Sequence, residues 1–251
     1  MWKVLSEAEL SRYRRQLAIP GWGVEGQQKL RQARVLVAGA GGLGCAVLSY
    51  LAVAGIGLIR VVDGDLVELG NLNRQTLYTD ADVGKPKAAS AKKRLEALNP
   101  HIRVEAIVEH LTEANCTELV GDCPVVDALD NLETRHLLNR AALSRGVPLF
   151  HGAVHGFEGR VTTVVPGKTA CLQCLYQGAL PGEVPVVGAV PAVIGCIQAT
   201  EVVKYVLGIG ELLANRLLVY DGFRLTFSEY RLKPDPACTE CAPQAGGRVK
   251  E

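Results

Sequence analysis

Apolar positions fall mostly into short unbroken runs and stretches of helical spacing; strict alternation is confined to the C-terminal part. Residues 35–38, Val-Leu-Val-Ala, are rich in branched side chains, as a strand buried on both faces requires. A helical stretch follows over 43–54, and 58–62 reads as the next strand. Residues 86–98 predict a helix with Pro86 in its first turn, closed by Asn99-Pro100, and 103–108 suits a further strand. The order continues with a strand over 124–129, a helix over 132–145 ended by Gly146, and strands over 147–151 and 160–165. The Gly- and Pro-rich stretch 175–191 predicts a long connection, and the apolar run 192–207, stopped by Gly208, a buried helix. Strands over 217–220 and 224–231 flank the turn signal Asp221-Gly222; the second alternates, which predicts one exposed face. Upstream, 6–17 predicts a helix capped by Ser6 with Glu9 three residues later, and 26–33 a helix leading into the first strand. Residues 244–251 read as a loose tail.

Strand and helix alternate through the first half, which predicts a parallel sheet; the second half adds antiparallel strands to the same sheet. The fold class expected is α/β and Rossmann-like. A membrane span is the competing reading of residues 35–59, which are uncharged and long enough to cross a bilayer. Its glycines divide it into strand, turn, helix and strand, and charges flank it closely, so the span is rejected.

Composition changes the picture little. At 251 residues, 48% hydrophobic and 21% charged, the chain can bury a sizeable core. A net charge of +1 argues against a general nucleic-acid or membrane-surface binder. Residues 1–16 are charged throughout and lack the apolar core of a signal peptide, so a cytoplasmic location is expected.

Candidate chemistry begins in the first turn. Gly39, Gly41 and Gly44 form G-x-G-x-x-G between strand and helix, with Gly42 inside the turn. Such a turn lets backbone approach a ligand, and the open helix N-terminus offers N–H groups to a phosphate. Asp63 ends the second strand about 20 residues on, where a ribose hydroxyl is bound. A lone glycine motif is weak; one framed by strand, helix, strand and acid points to an adenine nucleotide. Asn71, Arg74, Lys87, Asp130 and Asn131 are expected at the same carboxyl edge. Arg74 and Lys87 are cations for phosphates, and Asp130 is placed to hold Mg²⁺. Singly, each cation is better read as a surface ion pair worth ~0–1 kcal/mol. Together with the glycine turn they suit a nucleoside triphosphate, whose several charges must be offset.

Cys171, Cys174, Cys238 and Cys241 form two C-x-x-C pairs, the spacing of a closed tetrahedral Zn²⁺ site with a structural role. Disulfides are the alternative, and a cytosolic chain disfavours them. Cys45, Cys116, Cys123 and Cys196 read as small buried hydrophobes. His151 and His155 receive no chemical role and read as structural or solvent-facing.

The motifs Arg12-Tyr13-x-Arg15-Gln16, Gly39-Ala-Gly-Gly-Leu-Gly44, Asp63-x-Asp65, Asn71-Leu-Asn73-Arg74-Gln75, Gly84-Lys85-Pro86-Lys87, Asp130-Asn131-x-x-x-Arg135 and both cysteine pairs occur in order. In this the chain resembles the MoeB/ThiF/HesA family of ubiquitin-activating (E1-like) adenylyltransferases, the molybdopterin-synthase type most closely. The resemblance runs from about Arg12 to Cys241 and implies a single adenylation domain over 1–251. N-terminal helices would fill 1–33, an ATP-binding half 34–150, and a zinc- and carrier-binding half 151–243.

It further implies ATP at the glycine turn, Asp63 on the ribose, Asn71, Arg74 and Lys87 near the phosphates, and Asp130 on Mg²⁺. Arg15 would reach into a partner subunit's site, which implies a homodimer. The implied substrate is the C-terminal Gly-Gly carboxylate of a ubiquitin-like sulfur carrier of the MoaD or ThiS type, converted to an acyl-adenylate with release of pyrophosphate. Some relatives carry a cysteine in the connection after the first zinc pair; 175–191 has none, so covalent transfer is not expected. Nor is a fused sulfurtransferase domain, since the sequence stops soon after Cys241. Competing readings are an E1-like enzyme acting on a modified tRNA, a nicotinamide oxidoreductase using the same turn, and a non-catalytic scaffold for a ubiquitin-like protein.

Overall fold

A computed structural model describes residues 5–176 and 185–241. Eight strands form one sheet in the order β3-β2-β1-β4-β5-β6-β7-β8. They are β1 (Arg34–Ala38), β2 (Leu58–Val62), β3 (Arg103–Ile107), β4 (Val125–Asp127), β5 (Leu149–His155), β6 (Glu158–Val164), β7 (Arg216–Asp221) and β8 (Thr226–Arg231). β3, β2, β1, β4 and β5 are mutually parallel, and β6, β7 and β8 continue antiparallel. The expected α/β, Rossmann-like class with antiparallel C-terminal strands is therefore the observed one.

The unbroken apolar runs have a direct cause. Val35, Val37, Ile59, Val61 and Phe150 enter one core, while Leu36, Ala38, Val62 and Leu149 enter a second. Alternate side chains point to opposite faces, and both faces are covered. Helix α4 (Gly42–Ala54), α5 (Lys87–Leu98) and α9 (Ala189–Leu207) contribute to the first core; α6 (Cys116–Val120) and α7 (Leu132–Arg145) contribute to the second. α9 has the length and composition of a membrane span, yet half of its apolar window is buried in the protein, as befits a core helix.

The chain leaves β1 for β2 and β3 on one side, then crosses back to β4 on the other. The crevice beyond the carboxyl ends of β1 and β4 is thus the switch point of the sheet, where open α/β folds bind ligands. The glycine turn lies after β1, and Asp130 and Asn131 lie after β4.

Several expectations need correction. The helix expected over 6–17 is two: α1 (Glu7–Arg12), with the Ser6–Glu9 capping box intact, and α2 (Arg14–Leu17). Tyr13 breaks it, because its ring is buried and its hydroxyl accepts a hydrogen bond from Asn99 Nδ2 at 2.8 Å. The next helix, α3 (Gly23–Gln32), begins earlier than expected. β5 and β6 are longer than expected, because His155 pairs with Glu158 across a tight hairpin that carries pairing through Gly152 and Gly159. α9 begins at Ala189, with Pro191 tolerated in its first turn. α6 and the short α8 (Leu172–Leu175) had no clear signal. β8 is exposed on both faces, not one, because it is an edge strand with no helix over it among the described residues. The expected connection over 175–191 lies partly outside the described residues, and the tail over 244–251 wholly so.

Candidate functional site

Gly39 has φ +96°, and a Cβ there would stand 2.6 Å from the Ala128 carbonyl oxygen; one on Gly44 would stand 2.1 Å from that of Gly39. These two glycines are demanded by the turn and its packing against the strand-end after β4. Gly41 differs: a Cβ there would meet only the Gln75 amide at 3.7 Å, so this part of the turn is open. Gln75 is itself buried, and among the described residues its Oε1 has no hydrogen-bond partner, as expected of a group left for a polar ligand.

Asp63 holds the turn in place. Its Oδ2 accepts from the Ala40 N–H at 2.7 Å and its Oδ1 from the Asp65 N–H at 2.8 Å. Burial dominates its surroundings and lifts the carboxyl above its usual range, although both N–H groups and Lys87 oppose this. Lys87 opens α5 and is buried, with Nζ 2.8 Å from Asp65 Oδ2. This cation is therefore paired with the carboxylate two residues beyond Asp63. Arg74 is half-buried and its stem runs past Gly42; its Nη1 donates to the Gly70 carbonyl at 3.0 Å and to Asn73 Oδ1 at 3.1 Å. Asn71 uses its Oδ1 to accept from the Glu68 N–H at 3.1 Å, so its side chain shapes the loop after β2.

Beyond β4, Asn131 and not Asp130 caps α7: Asn131 Oδ1 accepts from the Thr134 N–H at 2.9 Å. Asp130 is exposed, and among the described residues its carboxylate accepts one hydrogen bond, from Asn131 Nδ2 at 3.4 Å. A carboxylate beyond a strand end with no structural partner of weight is available to a cation. Arg15 is exposed and makes no hydrogen bond or ion pair among the described residues; it is not brought to the crevice of its own chain by any contact. Its neighbour Gln16 instead anchors the segment, donating to Gln27 Oε1 at 3.0 Å and the Ala54 carbonyl at 3.1 Å.

The four cysteines of the C-x-x-C pairs converge. Their sulfurs lie within 4.8 Å of one another, with Cys171 and Cys238 at 3.7 Å and Cys174 and Cys241 at 3.4 Å. A zinc ion with Zn–S bonds of about 2.3 Å needs sulfurs roughly 3.8 Å apart, so the cluster suits it. The Asp235 N–H points at Cys174 Sγ at 3.4 Å, a donor that favours a thiolate. Asn139 of α7 ties the two cysteine loops together, accepting from the Leu172 N–H at 3.1 Å and donating to Glu240. Cys45, Cys116 and Cys123 are buried, as expected, and burial pushes the Cys45 thiol up to about 12. Cys196 is half-buried on α9, not fully enclosed.

Three residues assigned no chemical role by sequence, the buried Asp127 and His151 and the half-buried Tyr176, form a chain. His151 Nδ1 lies 2.6 Å from Asp127 Oδ2, and His151 Nε2 lies 2.8 Å from the Tyr176 hydroxyl. Burial drives the imidazole below its ordinary value, more strongly than Asp127 raises it. Burial pushes the Asp127 carboxyl up, but Arg135 and the bond from His151 outweigh it and hold it low. The pair is therefore a neutral imidazole donating to a carboxylate. The one signal in the sequence was Asp127, an acid within the apolar run of a strand. His155 lies at the exposed end of β5.

Known proteins resemble this chain over nearly its full length. It is 45% identical over 252 residues to the sulfur carrier protein adenylyltransferase of Thermus thermophilus, covering 95% of this chain and 93% of that protein. It is 44% identical to the SAMP-activating enzyme E1 of Haloferax volcanii, covering 94% and 90%. Among solved structures, Escherichia coli MccB with ATP superposes with a TM-score of 0.83 at 23% identity, covering 96% of this chain and 75% of that one; this shows shared fold alone. The ThiF family matches residues 13–240, and with relatives this similar the chain belongs to the ThiF family.

Proposed function

We propose that this chain is an ATP-dependent adenylyltransferase. Its substrate is the C-terminal Gly-Gly carboxylate of a ubiquitin-like sulfur carrier, which it converts to an acyl-adenylate with release of pyrophosphate. The observation that carries this reading is the convergence at the β1/β4 switch point. An open glycine turn, the ribose-type acid Asp63, the cations Arg74 and Lys87 and the free carboxylate Asp130 gather at one edge. A hydride-transfer enzyme has no use for that cation and carboxylate set, and the net charge of +1 gives no support to a tRNA substrate.

A terminal carboxylate has a pKa of ~3.3–3.7 and is ionised at neutral pH, so no general base is required. One of its oxygens attacks the α-phosphorus, and the bond from that phosphorus to the bridging oxygen breaks. The bonding pair leaves with pyrophosphate. The protein's task is to align the reactants and offset charge. Gly39, Gly41, Gly42 and Gly44 with the start of α4 take phosphate oxygens, Asp63 the ribose, and Asn71, Arg74 and Asn131 line the phosphate side. Lys87 exchanges its partner Asp65 for phosphate. Asp130 would hold Mg²⁺, and that cation would offset charge on the departing pyrophosphate. Cys171, Cys174, Cys238 and Cys241 would hold Zn²⁺ in a structural role.

A homodimer gives the exposed Arg15 a use, as a group completing the neighbouring site. Carrier docking is assigned to the antiparallel end of the sheet, where Phe223, Leu225, Phe227 and Tyr230 are exposed and Phe157 stacks on Phe223 at 4.2 Å. Apolar surface of this kind marks an interaction site. The reading is tested by ATP–pyrophosphate exchange that depends on a carrier ending in Gly-Gly.

A further inference from the structure

The Asp127–His151–Tyr176 chain reaches the candidate site through one backbone turn. Asp127 Oδ1 accepts from the Leu129 N–H at 3.1 Å and faces Arg135 Nε at 3.7 Å. Arg135 Nη2 donates to the Leu129 carbonyl. Leu129 is thus held at its N–H by the acid and at its carbonyl by the base of one buried ion pair, and the next residue is Asp130. The same turn rests on the glycine turn: the Ala128 N–H donates to the Ala38 carbonyl at 2.9 Å, and the face of Gly39 abuts Ala128 and Leu129. From the other side, Gln198 Nε2 donates to the Asp127 carbonyl at 2.8 Å and the Phe150 carbonyl at 2.9 Å.

Asp127 and His151 are fully buried, and Arg135 nearly so. An acid, histidine and hydroxyl in series suggest a nucleophilic triad, but the hydroxyl is Tyr176, whose ionisation burial opposes. A fully buried ionic group is an expensive way to stabilise a fold, since apolar residues of like volume do as well or better. Its gain is a fixed geometry, and the geometry fixed here is that of Leu129.

We infer that Asp127, Arg135 and His151 are positioning residues that set the Leu129–Asp130 turn against the glycine turn, with Tyr176 tying them to the cysteine-bearing α8. This rests on the reading of Asp130 as the Mg²⁺-nucleotide carboxylate. His151 orients Asp127 Oδ2, which leaves Oδ1 for Leu129 and Arg135; without that donor the carboxylate is free to turn and the strand-end relaxes.

The test compares His151→Asn with His151→Gln in the full-length protein. An asparagine amide stands where Nδ1 stands and can still donate to Asp127; a glutamine amide stands where Nε2 stands and can reach only Tyr176. Deuterium exchange of the peptide covering residues 128–131 reads the turn directly and needs no activity. Carrier-dependent ATP–pyrophosphate exchange, resolved into kcat and KM for ATP, reads its consequence. His151→Asn should keep near-normal protection and rate. His151→Gln should lose protection at Leu129 and lose roughly 10–100-fold in kcat, the range for residues that orient a metal ligand, with KM for ATP changed far less. Tyr176→Phe should leave Leu129 protected. Equal protection in the Asn and Gln variants would overturn the inference, as would a loosened turn with unchanged kcat. If wild-type protein shows no carrier-dependent exchange, the adenylation reading fails, while the deuterium measurement still decides whether His151 holds the turn.

Discussion

Replacing Asp130 by alanine separates chemistry from structure at the end of β4, because the neighbouring residue carries the structural load. Asn131 caps α7 through Thr134, whereas among the described residues Asp130 accepts only a long bond from Asn131 and is exposed. Losing an exposed side chain with one weak contact should alter stability by no more than about 0.5 kcal/mol. Losing a carboxylate that places Mg²⁺ on phosphates should cut pyrophosphate exchange by ~10²–10³, the cost of removing one electrostatic stabiliser. Nucleotide should still bind through the glycine turn and Asp63. Asn131→Ala gives the reference for stability alone: removing a cap costs ~0.5–2 kcal/mol. In a chain of this size each kcal/mol lowers the melting temperature by roughly 2–4 °C. Calorimetry and exchange on the same samples read both quantities. A destabilised Asp130→Ala protein with near-normal exchange would refute the assignment.

Freshly purified, reduced protein should contain about one Zn²⁺ per chain, and strong chelation should lower its melting temperature before it weakens ATP binding; metal analysis finding none would remove the zinc site. Mixing Arg15→Ala chains with Asp130→Ala chains should restore part of the activity, since a mixed dimer has one intact site; no recovery despite demonstrated subunit exchange would exclude action across the interface. Stability should fall as pH drops below about 6.5, the ordinary histidine value. The unfolded chain then protonates His151 while the folded one resists, and protonation of Asp127 at lower pH adds to the loss. His151→Asn should flatten the melting-temperature profile between pH 5 and 7 (roughly the histidine range), and an unchanged slope would contradict the buried neutral imidazole.

Most of the parallel half was legible in the sequence because strands covered on both faces read as continuous apolar runs. β2 and α7 fall on their expected residues, and the glycine turn, Asp63 and Asp130 fall beyond the strand-ends predicted to carry them. What failed was set by distant partners. The break at Tyr13 comes from Asn99, across α4, and no local propensity records it. The extension of β5 through Gly152 to His155 comes from pairing with β6. β8 alternates as a half-buried strand does, yet its residues are exposed on both faces. In the site, residue types were legible and their present partners were not. Lys87 pairs with Asp65, Asn71 shapes its loop, and Asn131 caps α7. Of the Asp127–His151–Tyr176 chain only the acid within an apolar run was legible, because its members lie on β4, on β5 and after α8 and meet only in the folded structure.

Carrier-dependent pyrophosphate exchange bears most directly on the central claim. Radiolabelled pyrophosphate is followed into ATP with the protein, Mg²⁺ and a panel of ubiquitin-like carriers, each intact and with its terminal Gly-Gly removed. At least one intact carrier should support exchange well above the carrier-free background, and its truncated form should not, because the attacking carboxylate is displaced from the α-phosphate. Exchange at background with every intact carrier, or equal exchange with intact and truncated forms, would contradict the account.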